Sequence, residues 1–153
     1  MINVIAVGKI KEKSLQSLIN EYDKRMKSVH PLNMIEIANS KLNEKNIDAI
    51  ILDESQRILA KIKPNDYVIL LDLKGKDFSS EILSQQIIQT LDNGSNISFV
   101  IGGSHGVSQD IRNRANKMWK ISNLTFPHQV VRLLLYEQVY RSFMIARNHP
   151  YHK

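Results

Sequence analysis

A glycine-rich segment is the first part of the sequence with the residue types for ligand chemistry. The apolar run Phe99-Val100-Ile101 is followed directly by Gly102-Gly103-Ser104-His105-Gly106. Glycines after a buried strand let the backbone approach a ligand closely, and they permit positive φ angles. Their spacing matches neither the dinucleotide fingerprint nor a Gly-Lys-Ser/Thr phosphate loop. The segment therefore favours a nucleotide or adenosyl ligand, with a tight turn before a helix as the structural alternative.

A second such segment is the apolar loop Ser122-Asn123-Leu124-Thr125-Phe126-Pro127. Leu124 and Phe126 would be costly to expose singly in a loop, so we expect something to cover them. An adenine ring is one candidate, and ordinary core packing is equally consistent with the sequence.

The C-terminal tail, Arg147-Asn148-His149-Pro150-Tyr151-His152-Lys153, is rich in residues that contact RNA. A tyrosine can stack on a base, and arginine or lysine can hold phosphates, although chain termini are usually disordered. His149 and His152 have no carboxylate or thiol partner nearby in the sequence, so we expect no metal site.

An excess of basic residues indicates an anionic partner. The chain has 21 Lys and Arg against 15 Asp and Glu, a formal net charge of +6. Such a chain attracts nucleic acid, and a merely basic surface is the alternative. The basic clusters are Lys9, Lys11 and Lys13; Lys24, Arg25 and Lys27; and the pair Arg112 and Arg114, which we expect to flank a bound RNA.

The elements that position these segments belong to one predicted domain spanning residues 1–153. A chain of 153 residues without cysteine suits one core in a reducing compartment. No stretch approaches the roughly 20 apolar residues of a membrane span, and no signal peptide is evident. We expect a soluble, cytoplasmic protein.

Strands and helices alternate along the chain, which predicts an α/β fold with a mainly parallel sheet. Ligands on such sheets bind beyond the carboxyl ends of the strands. Ser14, Ser79 or Ser80, and Ser108 are the predicted helix caps. The inward faces are Leu15, Leu18, Ile19, Tyr22 and Met26 on the first helix and Ile47, Ile50, Ile51, Ile58, Leu59 and Ile62 on the second. The predicted strands are 2–7, 33–37, 67–73, 97–101 and 118–122, and the predicted helices are 14–29, 46–62, 79–91, 108–116 and 128–147.

The last predicted helix, 128–147, carries apolar residues around nearly its whole circumference. A helix of this kind needs more cover than its own small domain easily supplies, so we expect a two-fold homodimer. Arg132 interrupts the apolar surface, either as a structural residue or as a contact to a phosphate or carboxylate.

At these segments, and over essentially its whole length, the chain resembles the RlmH family. These are SPOUT-class methyltransferases that modify pseudouridine in large-subunit (23S) ribosomal RNA. The residues that carry the resemblance are Ile5-Ala6-Val7-Gly8-Lys9, Glu21-Tyr22-Asp23-Lys24-Arg25, Ile69-Leu70-Leu71-Asp72-Leu73-Lys74-Gly75-Lys76, Phe99-Val100-Ile101-Gly102-Gly103-Ser104-His105-Gly106, Thr125-Phe126-Pro127-His128-Gln129-Val130-Val131-Arg132, Glu137-Gln138-Val139-Tyr140-Arg141 and His149-Pro150-Tyr151-His152-Lys153.

The resemblance implies an α/β parallel-sheet SPOUT fold whose C-terminal part forms a deep trefoil knot. It implies a homodimer through the last helix, with S-adenosylmethionine bound in the knot. The residues placed against the cofactor are Leu71, Gly103, Ser122, Asn123, Leu124, Thr125, Phe126 and Pro127.

The implied reaction moves a methyl group to N3 of a pseudouridine in a ribosomal stem-loop, with the assembled ribosome as the expected substrate. Its candidate catalytic residues, on the target side of the pocket, are His128, Arg132, Tyr151 and His152. The resemblance also implies that the tail of one subunit completes the site of its partner. We expect His105 to face solvent or to be satisfied locally, rather than to act in catalysis.

Three other functions remain open from the sequence. A SPOUT enzyme acting on transfer RNA or on a ribose hydroxyl would share fold and cofactor but not the tail. A ribosome-associated factor without activity would not need the intact glycine and apolar loops. An NAD- or ATP-binding enzyme would need glycine fingerprints that the chain lacks.

Overall fold

Five strands and five helices alternate along the chain in the computed structural model, which describes all 153 residues. Runs of β-branched and aliphatic residues form the strands, and amphipathic segments form the helices between them. The elements are β1 (Ile2–Val7), α1 (Lys13–Lys27), β2 (Leu32–Ile37), α2 (Ile47–Leu59), β3 (Tyr67–Lys76), α3 (Ser80–Asp92), β4 (Ile97–Ile101), α4 (Gln109–Arg114), β5 (Lys117–Trp119) and α5 (His128–Ala146).

The strands form one sheet in the order β2-β1-β4-β3-β5, and every neighbouring pair is parallel. The predicted α/β class with a parallel sheet is therefore confirmed. Because all strands run the same way, the segments that follow β3, β4 and β5 meet at one edge of the sheet.

Successive residues of each strand point to opposite faces, and each face has its own core. On one face Val4 and Phe99 pack with residues of α1, α3 and α5. On the other face Ile5 and Val100 pack with Ile58 of α2 and residues around α4. Burial of the central strands on both sides explains their continuous apolar sequences.

Helix α5 packs in the groove between α1 and α3. Leu135 and Val139 are fully buried there, so the chain itself covers part of the apolar surface that we expected a partner to cover. Val130, Leu133 and Leu134 stay half-buried on the same helix.

Of the predicted serine caps, Ser79 and Ser108 occupy N-cap positions, whereas Ser14 does not. Helix α1 has Glu12 at its N-cap with no side-chain capping bond, and the Ser14 hydroxyl donates to the Glu12 carboxylate instead. Ser108 precedes α4, but its side chain makes no capping bond. Ser79 does cap α3, because its hydroxyl accepts a hydrogen bond from the Ile82 N–H at 3.2 Å.

Two residues predicted to face the core face solvent instead. Leu18 is 51% exposed and Ile47 is 47% exposed. Ile47 is the first residue of α2, beyond the reach of the core on that face. The apolar pattern extends past the surface that the sheet covers, so pattern alone assigned these two residues incorrectly.

Three elements end earlier than their sequences indicate. Helix α2 ends at Leu59 and α4 at Arg114. Strand β5 ends at Trp119, whereas we predicted a strand over 118–122. Residues 120–122 therefore belong to the loop that leads into α5.

Strand β3 leaves the sheet ladder near its end. Leu71 and Lys76 both pair with Trp119, so the four residues between them bulge outward. Gly75 closes the bulge: a Cβ there would lie 2.6 Å from the Met118 backbone carbonyl carbon. Only a residue without a side chain fits at this contact.

None of the helices combines the length and apolar character that a membrane crossing requires.

Candidate functional site

Three loops meet where β3, β4 and β5 end, and together they line two adjoining cavities that we call the strand-end cleft. The loops are the β3 bulge, the glycine loop 102–107 and the apolar loop 120–127. The first cavity is lined by Leu71, Asp72, Leu73, Trp119, Lys120, Ile121, Ser122, Leu124, Thr125 and Phe126, with Val131 of α5. The second cavity adds Gly103, Arg112, Pro127 and His128.

Seven of the eight predicted cofactor residues therefore line one continuous cleft. Asn123 is the exception, because its amide oxygen turns away to accept a hydrogen bond from the Lys120 ammonium. The loop is ordered locally, since the Leu124 N–H donates to the Ser122 hydroxyl at 3.0 Å.

Large apolar side chains at the cleft mouth are uncovered. Leu124 is 67% exposed and Leu73 is 56% exposed. Between the two alternatives raised by the sequence, core packing is wrong for Leu124. An apolar pair at the mouth of a concave site is typical of a ligand-binding surface.

Two glycines of the glycine loop are required for different reasons: Gly106 for its backbone conformation and Gly103 for a close contact. Gly106 has a φ of +91°, and its N–H donates to the Gly103 carbonyl at 3.0 Å. Gly103 itself has no positive φ, but a Cβ there would lie 2.6 Å from Glu54 Oε1. The missing side chain at Gly103 therefore makes room for a carboxylate of α2.

Glu54 is a site-supporting residue that the sequence analysis missed. Its side chain is buried, and its Oε2 accepts a hydrogen bond from the Ser40 N–H at 2.8 Å. Its neighbour Ser55 accepts a hydrogen bond from the Ser108 N–H at 2.9 Å. Helix α2 therefore contacts the glycine loop through Glu54 and Ser55. Glu54 and Gly103 are 49 residues apart in the sequence, so no local sequence pattern indicates this contact.

An ion pair ties the β3 bulge to the segment after the glycine loop. Arg112 Nε lies 3.0 Å from Asp72 Oδ2, and Asp72 Oδ1 accepts a hydrogen bond from the Lys74 N–H. The same guanidinium donates to the Val107 carbonyl. Arg112 therefore connects the β3 bulge with the end of the glycine loop.

Arg112 and Arg114, which we expect to flank an RNA, make different contacts in the structure. Arg112 lines the cleft, whereas Arg114 donates to the carbonyls of Lys63, Pro64 and Asp66 and does not line it. Both guanidiniums are occupied by the chain's own acceptors.

His128 is the one candidate catalytic side chain that lines the strand-end cleft. It is the first residue of α5, directly after the apolar loop, and it is half-buried. His105 is exposed and does not line the cleft, in agreement with the sequence analysis.

Arg132 lies one helical turn after His128 but faces away from the cleft. It is 3% exposed, with Nη1 at 2.8 Å from Glu36 Oε2 and Nη2 at 2.9 Å from the Gly8 carbonyl oxygen. Residues four positions apart share a face of a helix, so it is the reach of the Arg132 side chain to Glu36 and Gly8 that removes it from the cleft lining. Arg132 is therefore held over the ends of β1 and β2.

The C-terminal tail folds back onto its own subunit. The Tyr151 hydroxyl donates to Glu137 Oε1 at 3.0 Å and lies 3.3 Å from the Tyr22 hydroxyl. His152 Nε2 lies 2.7 Å from Glu81 Oε1. Burial raises the pKa of the Tyr151 phenol above its ordinary value, and the hydrogen bonds with Tyr22 and Glu137 add to the effect.

This docking separates the tail from the cleft of the same subunit. Tyr151 contacts Glu137, which lies nine residues after His128 on α5, or about 13 Å along the helix axis. His149 accepts a hydrogen bond from the Tyr151 N–H. The structure contains no cluster of three or more metal-ligating side chains.

Comparison with known proteins gives a match over the whole chain. A family described as a predicted SPOUT methyltransferase matches residues 1–152. Ribosomal RNA large subunit methyltransferase H of Enterococcus faecalis (strain ATCC 700802 / V583) is 46% identical over 157 residues, covering 99% of each chain.

A solved structure supports the fold alone. It is described as "a probable methylase family protein" from Haemophilus influenzae Rd KW20, with a TM-score of 0.55 and 11% sequence identity. The match covers 99% of this chain and 70% of that one.

Proposed function

Because the chain belongs to the SPOUT methyltransferase family, we propose that it methylates large-subunit ribosomal RNA with S-adenosylmethionine as the methyl donor. The observation that carries the proposal is the strand-end cleft, where three loops leave Leu124 67% exposed beside a concave apolar wall. The whole-length identity of 46% to a ribosomal RNA large subunit methyltransferase supports the substrate class. With this substrate, we propose a cytoplasmic location for the activity.

The lining of the cleft fits this cofactor. An adenine ring is flat and largely apolar on its faces, which suits Leu71, Leu124 and Phe126. Backbone N–H and C=O groups of the loops 102–107 and 120–127 can form hydrogen bonds with the polar edge of the adenine. The side chains of these loops therefore need only contact its apolar faces. When bound, the cofactor supplies a methyl group on a sulfonium, ready for transfer to a nucleophile.

The proposed acceptor is N3 of a pseudouridine, which carries an imide proton. The protein must orient the base, exclude water and accept or pass on that proton. We propose His128 as the acceptor of the N3 proton, because it is the candidate catalytic side chain that lines the cleft. Tyr151 is a poor choice, because its raised pKa keeps the phenol protonated and leaves it a hydrogen-bond donor.

We propose that Tyr151 and His152 act on the RNA in the site of a partner subunit. In their own subunit they lie about 13 Å along α5 from His128, too far to touch the same base. A two-fold dimer through α5 would bring the tail of one subunit to the cleft of the other. The half-buried Val130, Leu133 and Leu134 support α5 as the contact surface.

The C-terminal part is proposed to be knotted. Loops 71–76, 101–107 and 120–127 cluster at one sheet edge, and α5 then returns between α1 and α3. An experimental chain trace tests this. If the chain beyond residue 128 does not thread the loop formed by the preceding segments, the knot is wrong.

The test of function incubates the purified protein with methyl-labelled S-adenosylmethionine. The substrates are assembled ribosomes lacking the modification, free ribosomal RNA and transfer RNA, and mass spectrometry identifies the labelled nucleoside. We expect label in N3-methylpseudouridine of the large-subunit RNA, most of all in assembled ribosomes.

Other outcomes point to other functions. Label in transfer RNA or on a ribose would replace the substrate but keep the reaction class. Cofactor binding without label in any RNA would contradict the proposed substrate, and absence of cofactor binding would favour a factor without activity.

A further inference from the structure

Three lysines lie on the β3 side of the strand-end cleft, and we call them the lysine rim: Lys74, Lys76 and Lys120. Lys74 directly follows Leu73, which lines both cavities of the cleft. Lys120 lines the first cavity, and its N–H donates to the Lys76 carbonyl at 3.0 Å. The lysine rim is therefore continuous with the wall of the cleft.

The β3 bulge sets the direction of two of these lysines. A Cβ on Gly75 would point at the Met118 backbone, 2.6 Å from its carbonyl carbon. Side chains alternate along an extended chain, so Lys74 and Lys76 point to the opposite side, and both are exposed. Bulges beside functional sites commonly redirect side chains in this way.

The chain itself does not neutralise the charges of the lysine rim. None of its three lysines forms an ion pair. The neighbouring Asp72 is paired with Arg112, and the Lys120 ammonium donates to the neutral amide of Asn123. Asp77 is the free carboxylate of this segment, and it is exposed. Three lysines beside one free acid leave a positive surface at the cleft.

The arginines of the chain are mostly occupied by internal contacts. Five of the seven form ion pairs with acidic side chains. Arg114 donates to three backbone carbonyls, which leaves Arg147 in the tail. The positive charge that remains for an anionic partner is therefore carried mainly by lysines.

Protection of a sheet edge against pairing with other strands is the ordinary role of lysines there. That role suits Lys117 on the edge strand β5, but not Lys74 and Lys76, because β3 lies between β4 and β5 in the sheet. The exposed Leu73 and Leu124 lie at the same cleft mouth. Cations beside exposed apolar side chains match a nucleic acid strand, which has phosphates on one side and bases on the other.

We infer that the lysine rim binds phosphates of the RNA strand next to the target nucleotide, so that the strand crosses the mouth of the cleft along the β3 bulge. Phosphate contacts fix the register and orientation of a nucleic acid without reading its sequence, which the point charge of an ammonium can do. The inference rests on the proposed function and adds the surface that holds the RNA backbone beside the cofactor cleft.

The test removes two charges without changing the cavities. The rim variant combines Lys74→Gln and Lys76→Gln, since neither lysine lines a cavity of the cleft. The matched control combines Lys61→Gln and Lys63→Gln, which are exposed, have the same spacing and precede β3 at the opposite end of the strand. A third protein, with arginine at 74 and 76, restores the charge.

The readouts are kcat and KM for methylation of the best ribosomal substrate over a range of salt concentrations, and S-adenosylmethionine affinity by calorimetry. We expect the rim variant to raise KM for RNA by about tenfold at low salt. Its kcat should change by less than about twofold, because a phosphate contact binds substrate and transition state alike.

The dependence on salt gives the sharper result. The slope of log kcat/KM against log salt concentration should become shallower by about 2 in the rim variant, roughly one for each lost phosphate contact. The control and the arginine variant should keep the wild-type slope. Cofactor affinity should stay within about twofold of wild type in all three variants, because the cavity lining is unchanged.

Three results would overturn the inference while the wild-type protein still methylates RNA. Wild-type KM and salt slope in the rim variant would place the RNA strand elsewhere. An equal loss in the control would mean that overall charge attracts the RNA. Weaker cofactor binding by the rim variant would assign the lysines to the cofactor. Absence of RNA methylation by the wild-type protein would instead defeat the proposed function, and this inference with it.

Discussion

Arg132 and Glu36 form an ion pair across 96 residues of sequence, with Nη1 2.8 Å from Oε2. The same guanidinium donates to the Gly8 carbonyl, so one side chain of α5 fastens the carboxyl ends of β1 and β2. The fork geometry of arginine makes both bonds at once, which the single ammonium of lysine cannot reproduce.

Arg132→Lys should therefore destabilise the fold. We expect the free energy of unfolding to fall by about 2 kcal/mol, because a buried charge-assisted hydrogen bond is lost while the positive charge stays. Urea denaturation measures the change. Arg147→Lys, at an exposed position, is the control and should leave stability unchanged. Equal stability of Arg132→Lys and wild type would contradict this structural role.

Gly103→Ala should weaken cofactor binding through Glu54. The added Cβ would lie 2.6 Å from Glu54 Oε1, so either the glycine loop shifts or Glu54 gives up the hydrogen bond that it accepts from the Ser40 N–H. Overpacking of this size costs about 1–3 kcal/mol, and we expect roughly tenfold weaker S-adenosylmethionine binding. Calorimetry gives the affinity of each variant.

A second substitution separates contact with Glu54 from any other effect of the alanine. Glu54→Asp draws the carboxylate back by one methylene, so the double variant should recover part of the lost affinity. If the two substitutions are additive, Glu54 is not the residue that makes Gly103 necessary.

Leu124→Asp should abolish most cofactor affinity without affecting the free protein. Leu124 is 67% exposed, so a polar side chain there costs little in the absence of ligand. If the adenine ring covers it, loss of that apolar contact weakens binding by about tenfold or more. Leu42→Asp, at a residue 48% exposed outside the cleft, is the matched control. Unchanged cofactor affinity in Leu124→Asp would place the ring elsewhere.

Truncation after Pro150 should leave cofactor affinity intact and abolish turnover, because it removes Tyr151 and His152 from the RNA side. A mixed dimer tests whether the tail acts across subunits. One subunit lacks the tail, and the other carries Leu124→Asp with its tail intact. The assay uses a concentration of S-adenosylmethionine too low to saturate Leu124→Asp. If the tail acts in the partner's site, the mixture then exceeds the activity of either parent. If the mixture shows no gain in activity, the tail acts in the site of its own subunit.

The docked position of the tail should loosen in acid. The hydrogen bond from His152 is the largest of the causes that lower the pKa of Glu81, so docking favours the ionised carboxylate. A carboxyl group with a lowered folded-state pKa contributes above its ordinary pKa of about 4.3 and loses that contribution as the pH falls through the lowered value. Hydrogen exchange at the Tyr151 and His152 amides measures docking. Glu81→Gln should already show fast exchange at neutral pH, whereas Glu44→Gln, at an exposed site on another loop, should not.

Local sequence was sufficient for the order and type of the strands and helices, though not for the ends of α2, α4 and β5, and for the location of the cleft. The continuous apolar runs 2–7 and 97–101 became central strands, because a parallel sheet buries both faces of such runs. Ser79 became a helix cap because its hydroxyl needs only an N–H three residues away. The loops around Gly103 and Leu124 follow strand ends, and parallel strands bring their ends to one edge.

Contacts across long separations were decided by the tertiary structure. The sequence could not pair Arg112 with Asp72 or Glu54 with Gly103, because packing of helices on the sheet, rather than spacing along the chain, sets those distances. For the same reason the family resemblance named Arg132, Tyr151 and His152 as candidates beside His128 without showing which of them share one site of a subunit. Only the fold paired Arg132 with Glu36 and Tyr151 with Glu137, because the packing of α5 on the strand ends and of the tail on α5 decides these contacts.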